Sequence, residues 1–184
     1  MPEKNTTQIN SQDALPRHSL VGRSLHWITG GLVLYGYAKG LRNVSQLNDP
    51  ELLRFEVMFA LGLGVALLLR FVWMKKLNNG ASRISECSSK FQKAMVRLGH
   101  NAIYLMLGGI ILTGLAIAAI FVSPISGGLL ENAMISLHNG FVFLAGGLMI
   151  GHVVIALYHK YWLKDGIMET MLRLRIPFTG KKAN

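Results

Sequence analysis

The stretch Ile135–Lys160, ISLHNGFVFLAGGLMIGHVVIALYHK, is long and apolar enough to cross a lipid bilayer. A membrane-spanning helix needs roughly 20 apolar residues, because the hydrocarbon core of a bilayer is about 30 Å thick. This stretch nevertheless carries three histidines, His138, His152 and His159. Ionisable residues inside a span are rare and usually functional. These imidazoles are therefore the first candidates for a functional site.

Three further apolar blocks precede this stretch, in a chain of 184 residues of which 51% are apolar. They are Ser24–Leu41, Leu53–Met74 and Leu98–Val122, and the fourth block extends from Ile135 to about Leu163. Backbone polar groups in lipid must be satisfied within the segment, which favours helices over open strands. The sequence therefore predicts an all-α fold, an integral membrane four-helix bundle. The first block is the shortest, and we expect its helix to begin a few residues earlier.

Turn signals separate the blocks. Asn48, Asp49 and Pro50 precede the second block, where Asp49 suits the N-cap and Pro50 the first helical turn. The segment SPISGG, from Ser123 to Gly128, ends the third block.

A single cysteine, Cys87, excludes an intramolecular disulfide, and no CxxCH motif offers covalent haem attachment.

The basic residues predict the orientation in the membrane. Six lie between Lys75 and Arg97, and six more follow from Lys160, whereas 123–134 has none. The positive-inside rule then predicts an up-down-up-down bundle with both termini in the cytoplasm. We divide the chain into a polar N-terminal arm (1–22), a four-helix transmembrane domain (23–163) that contains the candidate histidines, and a basic amphipathic cytoplasmic tail (164–184). The net charge is +10, but the basic residues lie mainly beside the apolar blocks, as the flanks of membrane spans do. No nucleic-acid partner is therefore expected.

The spacing of His138 and His152 places both imidazoles on one helix face. Fourteen residues at about 100° each return the chain to within about 40° of its starting direction, roughly 21 Å further along the axis. Small residues flank the two histidines on this helix: Gly140, Gly146, Gly147 and Gly151. Glycines let a neighbour approach closely. That neighbour is either a flat macrocycle or another helix.

His26 and His152 are predicted to lie at the same depth near the cytoplasmic side, because their spans run in opposite directions. Imidazoles from two facing helices can bind a haem iron from both sides. The alternative for each histidine is a hydrogen-bonded packing role. His138 near the outer side is a further candidate ligand. His100 is either an interfacial residue or a contact of a haem propionate or quinone, and His159 is expected at the interface.

The motif RSLHW in the first span and the pair His138 and His152 resemble the bacterial cytochrome b561 family. This family is related to the b-type membrane subunits of respiratory hydrogenases and formate dehydrogenases. The resemblance covers about 17–175 and includes Arg70, which closes the second span, together with GHNAIYL and HKYWLKD. It implies two b haems near opposite membrane faces, and electron transfer between quinol and a partner. One haem would use His26 and His152.

The second haem of the family would use His138 and a histidine of the second span. The family pattern places that histidine fourteen residues before Arg70, where this chain has Glu56, and 41–99 contains no histidine. Three outcomes stay open: this haem is absent, it is bound by His138 alone with Glu56 or water opposite, or Met58 substitutes. Glu56 itself is either a carboxylate at headgroup level or a proton acceptor beside a quinone. The sequence therefore supports one haem b more firmly than two.

The sequence leaves three functions open. The leading hypothesis is a multi-pass b-type cytochrome of the bacterial inner (plasma) membrane that transfers electrons from or to the quinone pool, with quinol oxidoreductase activity left open. Arg23 and Arg70 would then either pair with haem propionates or reach lipid headgroups. The second hypothesis is a haem-bearing anchor for a peripheral oxidoreductase. The third is a non-redox metal transporter or sensor. Expected partners are lipid and a quinone or redox protein, with a homodimer left open.

Overall fold

A computed structural model of the chain describes residues 20–40, 44–76, 90–124 and 126–163. These residues form four α-helices and two short helical segments, and no strand occurs among them. The α-helices are α1 (Leu20–Lys39), α2 (Pro50–Lys76), α3 (Lys90–Phe121) and α4 (Leu129–Tyr158). The short segments are a 3-10 helix, Val44–Asn48, and a π-helix, His159–Leu163. The all-α prediction is therefore confirmed for this part of the chain.

The predicted arm and tail fall almost entirely outside the described residues. Only 20–22 of the arm 1–22 are described, and they form the first residues of α1. Helix α1 thus begins before Ser24, as expected, and ends at Lys39. The tail 164–184 lies wholly outside the described residues.

The start of α2 follows the predicted capping pattern. Pro50 is the first helical residue, and the Asp49 carboxylate accepts hydrogen bonds from the backbone N–H groups of Glu51 at 3.0 Å and Leu52 at 3.5 Å. The first N–H groups of a helix have no acceptor inside the helix. The Asp49 carboxylate supplies the acceptor that they lack.

Three of the helical stretches are long and apolar enough to cross a membrane: Pro50–Lys75, Arg97–Phe121 and Leu129–Trp162. Many of their apolar side chains are exposed on the bundle surface, as in Leu68, Leu112 and Phe143, and few are buried. Such a surface suits contact with lipid. The chain is a multi-pass membrane protein. Helix α1 does not belong to this set, so a fourth span stays a prediction.

Helix packing leaves a small apolar core. Side chains of the first three helices form it, and they are Val33, Leu63, Leu67, Leu107 and Ile111. Helix α1 packs on α2, α2 on α3, and α3 most extensively on α4. The close approach of α3 and α4 depends on Gly109, because the ring of Phe141 occupies the space where a side chain would begin.

Helices α1 and α4 are joined by a long side chain. The Tyr37 hydroxyl donates a hydrogen bond to the backbone carbonyl of Val142 at 2.6 Å. The Tyr37 phenol also lies against Gly146, where a Cβ would approach its oxygen to 3.4 Å. The absence of a side chain at Gly146 therefore accommodates an aromatic side chain of α1.

Prediction for helix packing: Gly109→Ala lowers the thermal unfolding midpoint of the purified protein. The added carbon would lie 2.8 Å from three ring atoms of Phe141, and overpacking of this kind costs about 1–3 kcal/mol. Gly108→Ala is the matched control, because a Cβ there meets nothing within 4 Å. Unfolding in detergent, followed by circular dichroism, measures both variants. Equal midpoints for the two variants would show that this contact does not limit the packing of α3 on α4.

Candidate functional site

Three imidazoles meet at one end of the bundle, which we name the His152 end. His152 on α4 lies 6.4 Å from His26 on α1 and 5.5 Å from His100 on α3, measured between ring centroids. The His26 and His152 rings are tilted by 53°, whereas His100 meets His152 edge-on at 81°. The structure thus places two of the predicted residues side by side and brings His100 to the same place.

The separation of His26 and His152 fits two ligands on one metal ion. An imidazole nitrogen binds a transition metal at about 2.0–2.1 Å, and the ring centroid lies about 1.1 Å beyond, so opposed ligands have centroids about 6.3 Å apart. The observed 6.4 Å agrees with that value. The residues present therefore fit a haem iron held by two imidazoles, one on each side.

The donor set at this end does not suit a metal bound by protein side chains alone. Among the described residues, no group of three or more His, Cys, Asp or Glu side chains could hold a metal ion. A structural or catalytic zinc site takes at least three protein ligands. Two axial imidazoles instead suit an iron whose remaining four ligands come from a macrocycle.

Positive charge lies beside these imidazoles. Arg70 on α2 is partly buried, and its guanidinium carbon lies 5.6 Å from the centre of the Tyr104 ring. Arg70 is also close enough to His152 for an electrostatic interaction between the two side chains. Arg23 is partly buried and precedes His26 by one helical turn. Arginine binds carboxylates through paired hydrogen bonds, so this end can hold an anionic group.

The opposite end of α4 presents His138, which contacts α3. Its Nδ1 lies 2.9 Å from the Thr113 hydroxyl, and its Cε1 lies beside Gly114. The single Thr113 hydroxyl proton goes to its nearest acceptor, the Gly109 carbonyl at 2.6 Å. We therefore infer the tautomer in which His138 Nδ1–H donates to the Thr113 oxygen, which would leave a lone pair on Nε2. Histidines that bind metals are commonly oriented by a hydrogen bond of this kind from their other ring nitrogen.

Glu56 lies on α2 and is partly buried. The structure places His26, His100 and His152 together at the other end, whereas His138 and His152 are fourteen residues apart on α4. Among the described residues, His138 therefore lies apart from this cluster of imidazoles, and Glu56 lies fourteen residues before Arg70 on α2. His159 lies beyond α4 in the π-helix, where its ring meets Tyr158.

Three polar side chains that no sequence pattern marked as site residues lie near these histidines. Thr113 contacts His138, Tyr104 stacks with Arg70, and Tyr37 reaches α4. Thr113 was visible as a hydroxyl residue in an otherwise apolar span. Tyr104 follows His100 by one helical turn, which places both on the same face of α3.

A comparison with protein families matches most of the chain. The family model described as prokaryotic cytochrome b561 matches residues 17–174, which include every candidate residue discussed above. No curated protein and no solved structure gives a significant match to the chain.

Prediction for the His138 contact: Thr113→Val lowers the free energy of unfolding by about 1 kcal/mol, because it removes one hydrogen bond and keeps the side-chain shape. Thr113→Ser keeps the hydroxyl and serves as the control. Denaturation in mixed detergent micelles measures the difference. Nitrogen-15 NMR of labelled histidine tests the tautomer directly, with the proton on Nδ1 of His138 expected in the native chain and in the serine variant. A proton on Nε2 in the native chain would contradict the assignment.

Proposed function

Because this chain belongs to the prokaryotic cytochrome b561 family, we propose that it holds haem b between His26 and His152 and exchanges electrons with the quinone pool or a redox partner. The family is one of b-type membrane cytochromes that transfer electrons. The observation that carries the proposal is the 6.4 Å separation of the two imidazole rings. Bound haem would supply one-electron redox chemistry through its iron.

The residues of the chain have distinct roles in this proposal. His26 on α1 and His152 on α4 would bind the iron between the first and last helices. Arg70 and Arg23 bind the propionate carboxylates at the His152 end, where the Arg70 guanidinium stacks on Tyr104. His100 lies next to His152 and contacts either a propionate or a quinone.

The proposed membrane topology is up-down-up-down, with α1 as the fourth span and both termini in the cytoplasm. Side-chain contacts support the alternation: His26 meets His152 while Tyr37 meets Val142, and Arg70 meets Tyr104. The basic residues of 75–97 and of the segment after Lys160 support the orientation. The His152 end then faces the cytoplasm of a bacterium, and the chain lies in the inner membrane.

We propose one haem per chain. At the His138 end, Thr113 leaves Nε2 of His138 able to act as a ligand, but α2 has Glu56 at the position where the family pattern has histidine. A single haem near the cytoplasmic side cannot relay electrons across the whole membrane. Donor and acceptor would then both approach the His152 end.

Prediction for the ligand pair: His152→Ala reduces haem content to near zero, because the iron loses one axial ligand. His159→Ala is the matched control, since it removes an imidazole seven residues further along the chain, in the π-helix. The pyridine haemochrome assay, expressed per mole of purified protein, measures haem in both variants. Unchanged haem in His152→Ala, or equal loss in both variants, would contradict the proposed pair.

Prediction for the number of haems: Glu56→His raises haem content from one to two per chain, because it supplies the second imidazole opposite His138. Met58→His is the control, since Met58 lies two residues away on the same helix with a largely exposed side chain. Haem stoichiometry and a redox titration measure the change. Two haems in the native chain would disprove the single-haem proposal, and one haem in Glu56→His would show that Glu56 does not decide the stoichiometry.

A further inference from the structure

Tyr104 occupies a position next to the proposed haem ligands. It lies on α3 one turn after His100, whose ring is 5.5 Å from that of His152. The Arg70 guanidinium lies 5.6 Å from the centre of the Tyr104 ring, and the Phe71 ring meets the Tyr104 ring edge-on at the same distance. These contacts hold the phenol in one orientation between α2 and α3.

The Tyr104 hydroxyl is buried and has no hydrogen-bond partner among the described residues. Buried hydroxyl groups in proteins are almost always hydrogen-bonded, and an exception needs an explanation such as a ligand. Tyr37 shows the ordinary situation in the same bundle, because its hydroxyl donates to the Val142 carbonyl at 2.6 Å. The two tyrosines therefore differ in whether the protein itself satisfies the hydroxyl.

We propose that the Tyr104 hydroxyl, together with Arg70, binds an oxygen acceptor beside His152. A phenol O–H and a guanidinium both donate hydrogen bonds, and a guanidinium has no acceptor atom. The site therefore selects a carboxylate or a carbonyl oxygen. This inference rests on the proposed function, which offers two sources of such an oxygen: a propionate of the bound haem, or the carbonyl of a quinone.

Stacking with Tyr104 makes Arg70 suitable for this role. A guanidinium that lies over an aromatic face is attracted to the ring, and its N–H groups point outward in the plane of the guanidinium. Arg70 is also partly buried and interacts electrostatically with His152. A bound oxygen would thus receive hydrogen bonds from the Tyr104 hydroxyl and the Arg70 guanidinium, whose orientations are restricted by their contact with each other.

The test uses the haem-loaded, full-length protein in lipid nanodiscs, with Tyr104→Phe as the variant. This change removes only the hydroxyl and keeps the ring under Arg70. Tyr37→Phe is the matched control, because it removes a hydroxyl that the protein already satisfies. Two quantities are measured for each protein: the midpoint potential of the haem, and the KM for decylubiquinone as electron acceptor.

The two readouts distinguish the two sources of the oxygen. If the hydroxyl binds a propionate, Tyr104→Phe lowers the midpoint potential, because an uncompensated negative charge stabilises ferric iron, and KM stays constant. If it binds the quinone carbonyl, KM rises roughly threefold to tenfold, the size expected for one hydrogen bond, and the potential stays constant. Tyr37→Phe changes neither quantity.

A Tyr104→Phe protein with native haem content, native potential and native KM would overturn the inference. If that variant does not accumulate, Arg70→Lys serves as the second variant, and the same two readouts decide. Haem content measured first separates this inference from the proposed function. A native chain without haem disproves the proposed function, whereas a haem-loaded chain that is insensitive at Tyr104 disproves only the role of the hydroxyl.

Discussion

The contact between α3 and α4 determines where the candidate ligands lie. Lipid is as apolar as leucine, so helices in a membrane associate through close packing and a few hydrogen bonds rather than through a hydrophobic force. In this chain Gly109 admits the ring of Phe141, and Thr113 binds His138. His152 lies on the same helix as Phe141 and His138, so the seating of α4 on α3 also fixes the position of His152.

The two ends of the bundle offer different chemistry as a result. At the His152 end, α1 and α3 each bring an imidazole to His152, and α2 brings a guanidinium. At the His138 end, the contact on α3 is a hydroxyl, and the α2 position where the family pattern has histidine is Glu56. A haem iron with two axial imidazoles fits the first end. This asymmetry supports the proposal of one haem rather than the two-haem arrangement that the family resemblance implies.

Local sequence signals predicted the helix boundaries where capping chemistry was present. Asp49 and Pro50 gave the start of α2, and the segment from Ser123 ended α3. The start of α3 was less accurate, because the helix begins at Lys90 rather than at Leu98. Half of the eight additional residues are polar or charged, so the apolar block does not extend over this part of the helix. Where neither a capping residue nor a change in hydropathy marks the end of a helix, the boundary is predicted less accurately.

The sequence by itself determined the apolar spans, the shared face of His138 and His152, and the lack of a histidine in α2. These properties depend only on composition and on the fixed rotation per residue of a helix. The tertiary structure decided that His100 lies beside His152 and that Tyr104 lies under Arg70. The side chains of α2 and α4 are apolar on nearly all faces of each helix. No amphipathic pattern therefore shows which face contacts a neighbouring helix. That choice is made by close contacts between helices far apart in the chain.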